Sequence, residues 1–276
     1  MSSLGGKTLL ISGGSRGIGL AIALRAARDG ANVTLLAKTA VPHPKLEGTV
    51  HTAAAAIEAA GGRALPVVGD VRNDDDIARA VDRTVAEFGG IDIVVNNASV
   101  IDLSGSLELA AKKYDLMQDV NVRGTFMLSR AALPALKASA NPHILSLSPP
   151  LNLDPKWLGA FPGYLLAKYG MTLATLGLAA EFAGDGIAAN TLWPRTTIAT
   201  AAVRFALGGE EMLKRSRTPE IYADAAYAVL CRPSRERTGQ TLIVEDVLRD
   251  AGITDLSGYA AVPGTADDDL FGDVFL

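Results

Sequence analysis

A doubly wound α/β fold, a parallel sheet of about seven strands with helices on both faces, is what this sequence predicts, and three observations predict it. Short apolar runs alternate with longer stretches of helical period along most of the 276 residues. The first run, Thr8 to Ile11, breaks into Ser12-Gly13-Gly14-Ser15-Arg16-Gly17-Ile18-Gly19 and then into the Ala/Leu-rich stretch 20–27. No repeat, low-complexity tract or linker divides the chain, so one domain is expected over residues 1–276.

Composition narrows the classes. Hydrophobic residues make up 49% of the chain and aromatics 5%, so a large core of Ala, Val, Leu and Ile is expected. The net charge of −4, without a basic stripe, argues against a nucleic-acid partner. Cys231 is the only cysteine, which leaves no disulfide within the chain and suits a reducing compartment. Neither an N-terminal apolar leader nor a run of spanning length is visible, so the expectation is a cytoplasmic protein without a membrane span. His43 and His51 have no carboxylate or thiol at ligand spacing, so no metal is expected.

In chain order, the opening strand–glycine turn–helix is the start of a dinucleotide-binding βαβ unit. Gly13 permits the turn, Gly17 removes a Cβ where a pyrophosphate would approach, and Gly19 allows the helix to close on the sheet. The helix N-terminus offers unpaired N–H groups to phosphate. A second strand, 32–37, ends at Lys38, where an NAD-preferring site usually carries an acid. Lys38 and Arg16 together point to a 2′-phosphate, hence NADP(H) over NAD(H). The proline-containing loop 39–50 is long enough to fold over a cofactor. A helix over 51–60, a strand over 64–68 ending at Asp70-Val71, a helix over 74–88 and a strand over 91–95 follow. That strand runs into Asn96-Asn97-Ala98-Ser99, polar groups at the strand end where ligands sit in open parallel sheets. One long helical pattern covers 107–137 with Asn121 costly in its middle. Strands are expected at 143–148 and 187–192, a turn-rich stretch at 151–162, a flap at 199–219 and a last strand at 241–244. A surface tail is expected from about residue 246.

Tyr164 and Lys168 lie four apart on the helix that opens near Gly163, and so share a face. A free phenol is a poor acid or base near neutrality, and an adjacent ammonium stabilises its anion. Such a pair can pass a proton to or from a carbonyl oxygen while hydride moves at a nicotinamide.

The set Gly13-x3-Gly17-x-Gly19, Asn96-Asn97-Ala98, Asn121 and Tyr164-x3-Lys168 resembles the short-chain dehydrogenase/reductase family over residues 5 to about 245. The resemblance implies a Rossmann-type sheet and an oxidoreductase that interconverts a secondary alcohol and a carbonyl. It implies that Gly13, Ser15, Arg16, Gly17, Ile18 and Gly19 cradle phosphates and that Lys38 holds the 2′-phosphate. Asp70 and Val71 would meet the adenine, Asn97 and Ala98 the adenosine ribose, and Pro194, Ile198 and Thr200 the nicotinamide end. Tyr164 would be the proton donor or acceptor, with Lys168 tuning it and holding ribose, and Asn121 anchoring a proton-relay water. Members usually assemble through the long helices around Asn121 and Tyr164, so a homo-oligomer is expected. The lipid-carrier domain that follows in longer relatives is not expected within these 276 residues.

One departure bears on chemistry. The strand that normally ends in two serines ends here in Ser148-Pro149, with proline in the slot of the substrate-orienting serine. Ser148 remains the candidate, displaced by one position in a register where one residue reverses the side chain. Trp157, Phe161, Trp193 and Phe205 suggest a small apolar or lipid-like carbonyl or alcohol substrate. The competing reading is a weakly catalytic NADP-binding sensor or interaction protein. The enzyme reading requires the phenol to face the nicotinamide region and the chain not to fill that pocket itself.

Overall fold

The opening strand, β1 (Thr8–Ser12), is buried along its length and lies in mid-sheet, as an unbroken apolar run requires when both faces are covered. The computed structural model describes residues 3–44 and 46–276. After β1 come α1 (Gly17–Ala27), β2 (Asn32–Ala37), α2 (Val50–Ala59), β3 (Arg63–Val68), α3 (Asp74–Phe88) and β4 (Ile93–Asn96). The second half holds α4 (Ala111–Met117), α5 (Gly124–Ala138), β5 (His143–Ser146), α6 (Pro155–Ala160), α7 (Pro162–Glu181) and β6 (Ala188–Trp193). It continues through α8 (Ala201–Ala206), α9 (Gly209–Lys214), α10 (Pro219–Leu230), β7 (Thr241–Ile243) and α11 (Val244–Asp250).

The seven strands are all parallel, in the order β3-β2-β1-β4-β5-β6-β7. Side-chain alternation sends Leu9 and Ile11 of β1, with Ile93 and Val95 of β4, into one core layer. Leu10, Val94 and Ile144 enter the other layer, beneath α3 and α5. The order of strands reverses between β1 and β4, and the crevice beyond their carboxyl ends is where such a sheet takes a ligand.

Several elements differ from expectation. The helical pattern predicted from residue 107 begins at Ala111 and is interrupted by a π-helical turn over Gln118–Arg123. Asn121 sits fully buried in that turn, its Oδ1 accepting from the Val100 amide (2.8 Å) and its Nδ2 donating to the Val100 carbonyl (3.0 Å). Those two bonds repay the local cost of a mid-helix Asn and pin the loop after β4. The turn-rich stretch contains α6, capped where the Asp154 carboxylate accepts from the Lys156 amide. The flap carries α8 and α9. The largest correction concerns the predicted surface tail. Val247, Leu248, Leu256, Ala260, Leu270 and Phe275 are buried, because the chain after β7 turns back across the sheet's carboxyl edge.

Candidate active site

The loop after β1 and the N-terminus of α1 form the first wall. Gly13 has φ +70°, and a Cβ there would meet the Ala98 Cα and Asn97 Nδ2 at 2.9 Å, so β1 and β4 close only around glycine. Gly19 is packed as tightly: a Cβ would lie 2.5 Å from Asn97 Nδ2. Its role is to seat α1 on the sheet, and it does not border the cavity. The Ser12 hydroxyl staples the two strand ends, accepting from the Asn97 and Ala98 amides at 3.1 Å. Asn97 Nδ2 donates back to the Ser12 and Gly13 carbonyls. At the start of α1 no side chain caps the helix. Its unpaired amides and positive dipole end lie where Ser15, Arg16, Gly17 and Ile18 border a cavity of about 590 Å³. An uncapped helix start opening onto a cleft fits a phosphate group.

The same cavity reaches Lys38, Asp70, Val71, Asn97, Ala98, Tyr164, Lys168, Pro194, Ile198 and Thr200, so every residue assigned to the cofactor except Gly19 borders it. Lys38 is 59% exposed and pairs with Asp70 at 3.7 Å. Asp70 is also held by Arg72 (2.7 Å). Burial alone would raise the Asp70 carboxyl, but hydrogen bonds from Arg72 and the charges of Lys38 and Arg72 keep it below the usual range. Arg16 donates to the Glu47 and Gly48 carbonyls, which draws the loop before α2 over this end of the cleft.

At the other end, α7 presents Tyr164 and Lys168. The Lys168 ammonium donates to the Leu147 carbonyl beyond β5 (2.9 Å) and lies 6.0 Å from the Tyr164 ring centroid. Tyr164 is 4% exposed, and its hydroxyl hydrogen-bonds to no described residue. Burial pushes that phenol far above its ordinary value, and the Asp273 carboxylate adds to the shift. Burial lowers Lys168 to about 8, against the pull of Asp273. Asp273 itself is raised by burial to about 7, restrained by the Val274 amide and Lys168.

Two predicted catalytic residues lie outside the cleft. Asn121 stands behind it, bonded to Val100. Ser148 is fully buried and does not border the cavity; the Thr172 hydroxyl lies 3.0 Å from its Oγ and donates to the Pro149 carbonyl at 2.7 Å. The one-residue displacement therefore turns Ser148 into α7, and a substrate-orienting role for it is not what the geometry supports.

Reasoning from sequence missed Asp273, Val274 and Phe275. Asp273 and Val274 border the cavity beside Tyr164 and Lys168. Phe275 does not border it and packs on the Tyr164 ring, with centroids 6.0 Å apart. Trp193 and Phe205 border the cavity as expected of substrate-pocket aromatics, but Trp157 and Phe161 pack on Phe275 instead. The available signal was an Asp followed by apolar residues, Asp273-Val274-Phe275-Leu276, in a stretch otherwise rich in Gly and Asp.

Comparison with known proteins bears on the family and the fold. Residues 7–206 match the family model for short chain dehydrogenases. The chain is 56% identical over 261 residues to hydroxysteroid dehydrogenase-like protein 2 of Danio rerio, covering 95% of this chain and 62% of that protein. It is 57% identical to a putative dehydrogenase of Xanthomonas campestris, with a TM-score of 0.95 and 99% of both chains covered. A short chain dehydrogenase of Mycobacterium thermoresistibile is 59% identical, with a TM-score of 0.93 over 99% of this chain and 96% of that one. A glycine-cradled cleft at the sheet's reversal point, faced by Tyr164 and Lys168, thus sits in a chain that belongs to the short-chain dehydrogenase/reductase family of nicotinamide-dependent oxidoreductases.

Proposed function

We propose that this protein is an NADP(H)-dependent oxidoreductase that interconverts a secondary alcohol and a carbonyl, with Tyr164 as proton donor and acceptor. The observation that carries it is one continuous cleft, bordered at one end by the bare α1 N-terminus with Arg16 and Lys38, and at the other by Tyr164 and Lys168. A nicotinamide supplies or takes the hydride when bound. Arg16 and Lys38 select the 2′-phosphate, Lys38 exchanging its exposed pairing with Asp70 for a stronger charge-assisted bond. Tyr164, held protonated by burial, is ready to give its Oη proton to a carbonyl oxygen in the reductive direction. Lys168, fixed by the Leu147 carbonyl, places positive charge where the phenolate forms. Oxidation of an alcohol starts from that phenolate, so its rate is expected to climb with pH further than the reductive rate does.

The test is NADPH oxidation across a panel of ketones and aldehydes. Tyr164→Phe is expected to lower kcat by about 10²–10⁴-fold while NADPH affinity in a calorimetric titration stays unchanged. Lys38→Ala is expected to weaken NADPH by about tenfold or more and leave NADH where it was; NADH binding the wild type more tightly than NADPH would overturn the 2′-phosphate assignment. A second reading, a cofactor-binding protein with little turnover, is favoured by the burial of Ser148 against Thr172, which removes the usual orienting hydroxyl from the cleft. NADPH binding with no oxidation by any carbonyl of the panel would decide for it.

A further inference from the structure

The cleft stays open where Tyr164 and Lys168 border it, so the condition set for the enzyme reading is met there. Beside that cleft, the space around the Tyr164 ring is taken by Phe275 of the chain itself. Five aromatic rings surround the Phe275 side chain, with centroids at 5.4 Å (Tyr169), 5.6 Å (Phe161), 5.9 Å (Trp157), 6.0 Å (Tyr164) and 6.1 Å (Trp193). Against Tyr164 the ring is nearly parallel, at 26°, so it lies over the face of the proposed proton donor. Phe275 is fully buried, yet it has φ +76° and is the one non-glycine residue with positive φ among the described residues. A bulky residue in that conformation is strained, and the strain persists only because the aromatic box and two backbone acceptors hold it. Trp193 Nε1 donates to the Val274 carbonyl (2.9 Å) and Asn152 Nδ2 to the Phe275 carbonyl (3.1 Å). Upstream, the Phe271 amide donates to Arg215 and the Asp273 amide to Arg195, both at 2.8 Å. The same short segment holds the half-buried Asp273 carboxylate against the cavity, where it accepts from the Val274 amide (2.7 Å).

The strap is also continuous with the cleft. Asp273 and Val274 form part of the cavity wall next to Tyr164 and Lys168, so withdrawing residues 273–276 would join the aromatic box to the cofactor cleft at the phenol.

We propose that residues 273–276 form a displaceable strap whose Phe275 ring stands in for the substrate's own ring: the box beside Tyr164 is the subsite for a six-membered carbocycle bearing the reacting carbonyl. This rests on the reading of Tyr164 as proton donor. A ring of that size satisfies the same five aromatic faces and places its exocyclic carbonyl at the phenol edge. Its entry also releases the positive φ at Phe275. Acyclic small ketones fit the existing cleft and leave the strap in place.

Two measurements on the full chain with NADP(H) test this. In the first, hydrogen–deuterium exchange of peptides covering 271–276 is followed in the wild type, with saturating cyclohexyl methyl ketone or 2-butanone and NADP⁺. At least a fivefold faster exchange with the cyclic ketone alone is expected, as the Asp273 amide loses the Arg195 carbonyl. Unchanged or slower exchange overturns the proposal, and this arm needs no turnover, so it stands apart from the failure of the oxidoreductase reading. In the second, Phe275→Ala is expected to lower the ratio of KM for cyclohexyl methyl ketone to KM for 2-butanone at least fivefold relative to wild type. A fall in kcat for both ketones without a fall in that ratio makes Phe275 a fixed wall and overturns it. Phe275→Leu, which keeps the box filled, is expected to fall between the two; a thermal melt confirms that both variants fold.

Discussion

At the scale of single residues, the site is governed by burial. Tyr164, Lys168 and Asp273 meet around one end of the cleft, and each is pushed toward its neutral form by loss of water. The Asp273 carboxylate is the group that counteracts this for Lys168, and it also raises Tyr164. Asp273→Asn is therefore expected to lower both, moving the basic limb of the kcat/KM profile toward acid pH. A profile from pH 6 to 10 that superimposes on the wild type would show that Asp273 plays no part in setting the pair. The sign on stability is opposite to that of an ordinary carboxylate. Asp273 titrates higher in the folded chain than in the unfolded one, so it costs stability as pH rises from about 4 to about 7. The asparagine variant is expected to gain stability relative to wild type above that window.

At the scale of elements, α7 carries two jobs on opposite faces. Its inner face holds Tyr164, Lys168, Thr172 and Thr175, all buried; Thr175 reaches Ser146 and Thr172 reaches Ser148, which ties the helix to β5 and the residues after it. Its outer face leaves Leu166 and Leu173, seven residues apart, 53% and 57% exposed. Phe126 on α5 is 43% exposed. These exposed apolar side chains offer a surface on which another chain could bury area. A second copy meeting α7 and α5 is the expected occupant. Leu173→Glu is expected to shift the wild-type oligomer to monomer in sedimentation, and a wild type that already sediments as a monomer would remove the premise. The π-turn ahead of α5 belongs to the same scale, since it exists to let Asn121 grip the loop after β4.

At the scale of the whole molecule, two apolar layers enclose the sheet, and an ionisable group within them sets acid stability. His143 on β5 is 2% exposed, its Nε2 3.1 Å from the Arg232 carbonyl. Burial lowers its pKa from 6.5 to about 4. The neutral form is favoured by folding, so its contribution is complete above 6.5 and is lost as pH falls toward 4. The shift corresponds to roughly 3 kcal/mol. Chemical denaturation between pH 4 and 7 is expected to show this loss in the wild type and a flatter dependence in His143→Gln. The chain spans 62% of the length of the Danio rerio relative, so what it does within any longer assembly is a separate question from the chemistry of this cleft. Among the described residues no helix is long and apolar enough to cross a membrane.

The alternation of apolar runs and helical stretches, the glycine turn and the Tyr-x3-Lys spacing were legible in the sequence alone, because each is a local pattern read within one or two turns of chain. They sufficed for the parallel sheet and for most of the cleft from Gly13 to Thr200. What only the tertiary structure decided depends on contacts between residues far apart in sequence. Ser148 differs from its expected place by one register position, and only packing against Thr172 reveals which way it turned. Phe275 lies 111 residues from Tyr164 by their numbers, and no local signal tells a chain segment that it will end against that phenol. A surface tail and a strap have the same composition; the path of the backbone across the sheet edge makes this one the latter.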